Sequence, residues 1–228
     1  MEHGYEQCYY SGVLGRAWEV VHTMMERPYV GVDGLGTVLE LGAGHGQHAR
    51  FVKHPFDRYI ATDLRADLVR VPAGDARFEV RAVDASDLSS FEDGSIDRLV
   101  ATCLLVHLAD PLAALAQWRR VLRPGGRATI YVPAEPSVLN RAVRRSFIWP
   151  RARRHGADDP ELLAYQGHAV HYPAMRTFID RTFEDDEVRR RRFPVAGAPW
   201  NLSMFEIVHV RVSLTNAGPE RLTGPPAP

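Results

Sequence analysis

Lysine is nearly missing from this chain: of 228 residues, Lys53 is the only one. The remaining basic residues are arginines, a bias that codon usage in a high-GC genome produces without a functional cause. Bases and acids balance at 28 each and the formal net charge is zero, so no overall field favours nucleic acid or an anionic membrane. Cysteine is scarce as well. Cys8 and Cys103 are far apart and in no metal-ligand spacing, which argues against a disulfide framework or a zinc site and fits a reducing cytoplasm. No apolar run approaches the roughly 20 residues needed to span a bilayer. The opening "MEHGYEQCYYSG" has neither a basic n-region nor an apolar h-region. The expectation is a cytoplasmic protein with no membrane partner, no bound metal and no internal repeat.

What is present is ordinary globular material, 45% hydrophobic and 25% charged, enough for one domain to bury a full core. Val13, Ala17, Val20, Val21 and Met24 recur at helical spacing and predict an amphipathic helix over 13–27, stopped by Pro28. Strand and helix signals then alternate. "TVLEL", "DRYIATD", "ARFEVRAVD", "IDRLVATCLL" and "RATIYVP" read as strands. "GQHARFVKH", "LRADLVR" and "DPLAALAQWRRVL" read as helices, the last with Asp110 as N-cap and Pro111 at its first position. This alternation is the pattern of a parallel sheet covered on both faces. It breaks over 134–172 and resumes with a helix at "AMRTFIDRTF" and strands near "DEVRRRRF" and "SMFEIVHVRV". The expected organisation is one domain over 1–214 with an insertion at 134–172, followed by a Pro- and Gly-rich tail, 215–228, read as disordered.

The stretch "VLELGAGHGQ" puts Gly42, Gly44 and Gly46 after an apolar strand, with Glu40 two residues before the first glycine. Such a turn lets backbone approach a ligand at the carboxyl end of a strand. A dinucleotide loop would need G-x-G-x-x-G, and Gln47 occupies its third glycine, which disfavours a nicotinamide oxidoreductase. Glu40 is poor company for a pyrophosphate and suits a cationic group, such as the amine of a methionine moiety. Asp63 closes the second strand, where a carboxylate accepts from ribose hydroxyls. Asp84 follows the third strand, where it can accept from an adenine amine, with the Ala85 N–H in reach.

In this order, acid and glycines, then Asp63, then Asp84, then "VLRPGG", the chain resembles the class I S-adenosylmethionine-dependent methyltransferases. The resemblance is close over 34–133 and extends by topology to about 212. It implies an α/β fold: a doubly wound, mostly parallel seven-stranded sheet in the order 3-2-1-4-5-7-6, with an N-terminal helix and an insertion after the fifth strand. It implies S-adenosylmethionine as cofactor, held by Glu40, Gly42, Ala43, Gly44, Asp63, Leu64, Asp84, Ala85, Thr102, Cys103 and, closing from the N-terminus, Tyr10. His45 departs from the small hydroxyl residue common in the loop. The fourth strand ends in "ATCLLVHL", without the Asn/Asp-Pro-Pro-Tyr/Phe signature of enzymes that methylate nucleic-acid bases or glutamine amides.

For the acceptor side, the insertion ends in "GHAVHYP". His168 and His171 are the candidate bases, with His171 favoured because Pro173 would begin a helix beside it; an imidazole titrates near neutral pH. His107 reads as a packing residue. The arginines from Arg141 to Arg154 suggest an anionic acceptor held by guanidinium forks, or else a solvated helix face. With Phe147 and Trp149 among them, RNA is a weaker alternative. The expected function is O- or N-methylation of a small molecule such as a sugar or specialised metabolite. Other chemistry on the same cofactor (cyclisation, for example) and a non-catalytic scaffold stay open, as does a homodimer.

Overall fold

A computed structural model describes residues 12–168 and 170–214, leaving aside the side chains of residues 12–14, 165 and 166. Cys8, Tyr9, Tyr10 and the tail 215–228 lie outside the described residues.

The strands are β1 (Thr37–Leu41), β2 (Arg58–Asp63), β3 (Phe78–Ala82), β4 (Ile96–Thr102), β5 (Leu122–Pro133), β6 (Glu187–Phe193) and β7 (Phe205–Arg211). They form one sheet in the order β3-β2-β1-β4-β5-β7-β6, the order the resemblance implies. β1 to β5 run parallel, while β7 is antiparallel to both β5 and β6. The helices are α1 (Gly12–Glu26), α2 (Pro111–Val121), α3 (Val138–Val143), α4 (Trp149–Arg154), α5 (Pro160–Gly167) and α6 (Tyr172–Thr182). Among the described residues no helix is long and apolar enough to cross a membrane.

Alternate residues of each strand serve opposite layers. Leu39, Leu41, Leu99 and Ile130 pack with Leu115 and Trp118 of α2 and with Met175 and Ile179 of α6. Trp118 is fully buried, and its indole N–H donates to the Ala85 carbonyl at 2.8 Å, so the packing of α2 also fixes the turn after β3. Val38, Ala61 and Val100 face the other way, against Val21 and Met25 of α1. Asp110 caps α2 as expected, accepting from the Ala113 N–H at 3.0 Å.

Two expected helices are single 3₁₀ turns instead: His48–Phe51 in "GQHARFVKH" and Ala66–Leu68 in "LRADLVR". The first has few residues between the left-handed Gly46 and Pro55, too short a run to repay helix nucleation. α1 also covers that face of the sheet and draws His48 under it. In the second, Val69 turns into the core and the Arg70 N–H reaches the His45 carbonyl at 3.3 Å. β5 is longer than "RATIYVP", because "LRPGG" joins it.

The segment expected as an insertion is mostly helical. α3 runs into a π turn, Arg144–Ile148, and then α4. Pro150 has no N–H to return to the preceding turn, which accounts for the wider coil at this point.

Beneath α1 lies a buried polar network. Arg98, inside β4, pairs with Glu26 of α1 and with the His54 ring. Its guanidinium sits 3.8 Å from the Tyr29 ring centroid. His48 bonds Glu26 through Nε2 at 2.8 Å and His22 through Nδ1 at 2.9 Å. The Tyr29 hydroxyl reaches Thr129 at 2.7 Å and His209 at 3.2 Å.

Candidate active site

The carboxyl ends of β1, β2, β4 and β5 converge on the glycine loop. Gly42, Gly44 and Gly46 have φ of +62°, +54° and +73°, values that side-chain-bearing residues rarely adopt. A Cβ on Gly46 would stand 2.2 Å from the Arg70 carbonyl oxygen, and one on Gly42 2.8 Å from Leu104 Cδ1. Beside Gly44 the corresponding space is open. Ala43, buried next to it, donates its N–H to the Thr62 carbonyl at 2.8 Å.

Asp63 lies at the end of β2, half-buried. Its Oδ2 accepts from the Gly44 N–H and its Oδ1 from the Arg65 N–H, each at 2.9 Å. The residue assigned to the ribose therefore also ties down the loop. Leu64 follows it with 73% of its surface exposed, an apolar platform at a strand end. Asp84 is exposed and accepts from Ser86 N–H and Oγ, at 2.8 and 2.7 Å, which hold its carboxyl below the usual range. Ala85 is buried beneath the turn.

Glu40 is placed differently from an open carboxylate. It is 3% exposed on the α1 face of β1, with Oε2 accepting from the Tyr59 hydroxyl at 2.8 Å. Burial pushes its carboxyl above the usual range. Thr102 points its hydroxyl at the Met25 sulfur, 3.8 Å away. Cys103, next in line, has φ +55°, the one non-glycine residue with positive φ among those described. Its thiol is pushed up to about 12, by burial and then by the nearby Glu135 carboxylate.

Above β4 and β5 the structure gathers a cluster only partly foreseen. Glu135, two residues beyond β5, is buried. Its Oε1 pairs with Arg144 of the π turn, and its Oε2 with His168 Nδ1 at 2.5 Å. His107 ends a short turn after β4 and donates from Nδ1 to the Gly167 carbonyl at 2.6 Å. Because a carbonyl and a carboxylate only accept, both imidazoles carry their proton on Nδ1 and leave the Nε2 lone pair free when neutral. Burial, chiefly, holds His107 below the usual imidazole range.

His168 is thus brought to the strand ends. His171 is not: it is exposed at the start of α6, and its side chain caps nothing. The preference for His171 is revised accordingly, since fixing its backbone at a helix start did not aim its ring. Trp149 is buried and unavailable for stacking on a base, while Phe147 is 72% exposed. Arg144 is committed to Glu135; Arg141, Arg145, Arg153 and Arg154 are exposed. Glu135 escaped the sequence reading, although an acid directly after "RATIYVPA" obeys the rule that singled out Asp63 and Asp84.

The comparisons with known proteins agree with this geometry. Residues 39–130 match the methyltransferase domain family. Over these residues the chain carries a methyltransferase domain, and its fold is that of the class I S-adenosylmethionine-dependent methyltransferases. A methyltransferase from Claviceps purpurea is 32% identical over 139 residues, covering 57% of this chain and 43% of that one. A demethylmenaquinone methyltransferase from Clavibacter sepedonicus is 31% identical over 134 residues, 57% of this chain and 52% of its own. The chain spans about half the length of these curated relatives. Among solved structures, the N-methyltransferase NodS from Bradyrhizobium japonicum, in complex with S-adenosyl-L-homocysteine, superposes with a TM-score of 0.56 over 85% of this chain and 86% of its own at 16% identity, a likeness of fold.

S-adenosylmethionine is the cofactor of this methyltransferase fold. The residues present fit it: open space beside Gly44, carboxylates at the ends of β2 and β3, and the exposed Leu64 between them.

Proposed function

We propose that this methyltransferase transfers a methyl group to a hydroxyl of a small organic molecule, a sugar or specialised metabolite, with His168 as general base. One observation carries the choice of hydroxyl: His168 Nδ1 lies 2.5 Å from the buried Glu135. A neutral amine needs only to be positioned, whereas a hydroxyl must lose a proton as it attacks. An imidazole whose Nδ1–H is held by a carboxylate presents Nε2 as the proton acceptor.

When bound, S-adenosylmethionine supplies a methyl carbon on a positively charged sulfur, open to in-line displacement. The chain's own part is positioning and proton transfer. His168 Nε2 takes the hydroxyl proton, and Glu135 steadies the imidazolium through Nδ1–H. Arg144 holds the second Glu135 oxygen, so the carboxylate cannot rotate away. The helical segment over 138–167 walls the acceptor side. The relative named a demethylmenaquinone methyltransferase supports a small organic acceptor.

The test is S-adenosylhomocysteine release against a panel of small hydroxyl and amine acceptors, with products weighed by mass spectrometry. An O-methylated product whose formation collapses in His168→Ala supports the reading. Methylation of amines alone, a cyclised product, or no turnover on any acceptor would count against it.

A further inference from the structure

Four consecutive arginines, Arg189–Arg192, occupy the edge strand β6, and the two faces of that strand treat them differently. Arg190 and Arg192 point toward α6. Arg190 pairs with Asp180 and, at 3.1 Å, with Glu206, and Arg192 lies 4.0 Å from the same Glu206. Arg189 and Arg191 turn to the opposite face, across from His209 and Ile207 of β7. There Arg189 meets, among the described residues, its own neighbour Glu187 at 2.6 Å on the exposed surface, a contact worth little in water. Arg191 lies over the Phe193 ring, 5.1 Å from its centroid, and among the described residues has no carboxylate partner.

This second face borders a cavity. A space of about 170 Å³, partly open to solvent, is lined by Met24, Arg27 and Pro28 on one side and by Arg189, Arg190, Arg191, Phe193, Ile207 and His209 on the other. Among the described residues no acid lines it. Arg27 brings a further guanidinium, also without a carboxylate partner among the described residues. Four arginines thus line one cavity in a chain of zero net charge; Arg190 is neutralised by carboxylates on the far face and Arg189 meets Glu187 at the surface, while the cavity lining itself supplies cations.

We propose that this cavity is an anion-binding site, separate from the cofactor site, for a compact phosphate- or carboxylate-bearing small molecule. Size and lining set the class. The space is small and partly open to solvent, a size suited to a compact anionic group such as a phosphate or a short dicarboxylate. Guanidinium forks match the paired oxygens of either group. The buried Ile207 and Phe193 form an apolar floor that shelters the contact from solvent screening.

His209 offers an internal reporter. Its Nδ1 bonds Tyr29 and Thr129, each at 3.2 Å. The charged groups around it are Arg98 and Glu26 beneath α1 and Arg189 across the strand pair; burial first, then Arg98, lowers it to about 4. An anion in the cavity favours the imidazolium and must move that titration upward.

The decisive experiment titrates the whole protein with inorganic phosphate, in chloride buffer at constant ionic strength, by calorimetry and by NMR of the His209 ring. We expect saturable one-site binding that the Arg27→Ala, Arg191→Ala double variant weakens at least tenfold. Phosphate should raise the His209 pKa in the parent protein and not in the double variant. Arg153→Ala, Arg154→Ala, on the exposed end of α4, should bind phosphate as the parent does. Succinate and pyrophosphate arms decide whether carboxylate or phosphate is the better fit. Absence of saturable binding overturns the site, as does equal weakening in both double variants or a His209 titration indifferent to phosphate. The wild-type NMR arm stands whether or not the variants fold, and scoring S-adenosylhomocysteine release separately keeps this site independent of the catalytic proposal.

Discussion

The rings of His107 and His168 meet edge to face, their centroids 5.0 Å apart. One belongs to the turn after β4 and the other to the end of the helical wall. The His107–Gly167 and Glu135–His168 bonds lie on adjacent residues of that wall, so the wall is fastened to both strand ends where His168 is placed.

Glu135→Gln should therefore lower kcat by about 10- to 100-fold with little change in acceptor KM, because the amide no longer holds His168 in one tautomer. His168→Ala should cost about 10²–10⁴-fold, and the double variant no more than His168→Ala alone. His171→Ala should stay within about twofold of the parent. Steady-state kinetics with a thermal melt of each variant checks this. A Glu135→Gln enzyme as fast as the parent, and equally stable, removes Glu135 from the proposal.

Asp63→Ala removes the acceptor at the end of β2 and the clasp on the Gly44 N–H together. S-adenosylhomocysteine should bind more weakly by about 1.5–3 kcal/mol, the cost of stranding hydrogen-bonding groups without a charged partner. Calorimetry reads it directly, and undiminished affinity would place the ribose elsewhere.

Gly46 and Gly74 have similar φ, +73° and +79°, but a Cβ at Gly74 meets nothing within 4 Å whereas one at Gly46 meets the Arg70 carbonyl at 2.2 Å. Gly74→Ala should cost about 1 kcal/mol, the strain of a left-handed alanine. Gly46→Ala should cost at least about 2 kcal/mol more, through overpacking. Urea denaturation of the pair separates the two effects, and equal losses would show that the loop yields freely.

Acid should destabilise the fold before the carboxylates titrate. Burial first, and then His48, lowers His22 to about 3, and His209 is lowered to about 4. Both are neutral when folded and take a proton when unfolded below about pH 6.5. Stability is therefore full above that pH and falls as pH drops, by up to about 1.4 kcal/mol per pH unit for each ring. Glu26 adds a second loss. Burial alone would raise it, but hydrogen bonds from His48 and Arg98 hold it at about 2, so its contribution disappears as pH falls from about 4.5. Urea midpoints at pH 7.5, 6.5, 5.5 and 4.5 measure the slope. His209→Asn should flatten part of it, and a level profile from 7.5 to 5.5 would contradict the assignment.

Much of this was legible in the sequence because each strand declares its ends. Apolar runs closed by Asp63 or by the glycines fix both the strands and the side on which a ligand sits. The helix at Asp110 was legible for the same local reason, a cap and a proline in register. What escaped was set by distant partners. His48–Phe51 looks like a helix until Glu26 claims His48. Arg98 sits in "IDRLVAT", and nothing in that strand shows that a carboxylate 72 residues earlier makes a buried guanidinium tolerable. His168 and His171 were indistinguishable by spacing, and only the position of Glu135 separates them.

The Tyr29 hydroxyl bonds Thr129, 100 residues later, and His209, 180 residues later. On the ribosome α1 emerges well before β7, yet its anchor is completed only when β7 is released. Until then Val21 and Met25 have no finished sheet to cover, and the nascent chain carries that apolar face unburied while the intervening strands are made. The layer made before the sheet is secured only by the far edge of that sheet, so synthesis arrested before β7 should leave a species that holdase chaperones retain and that proteases cut within α1.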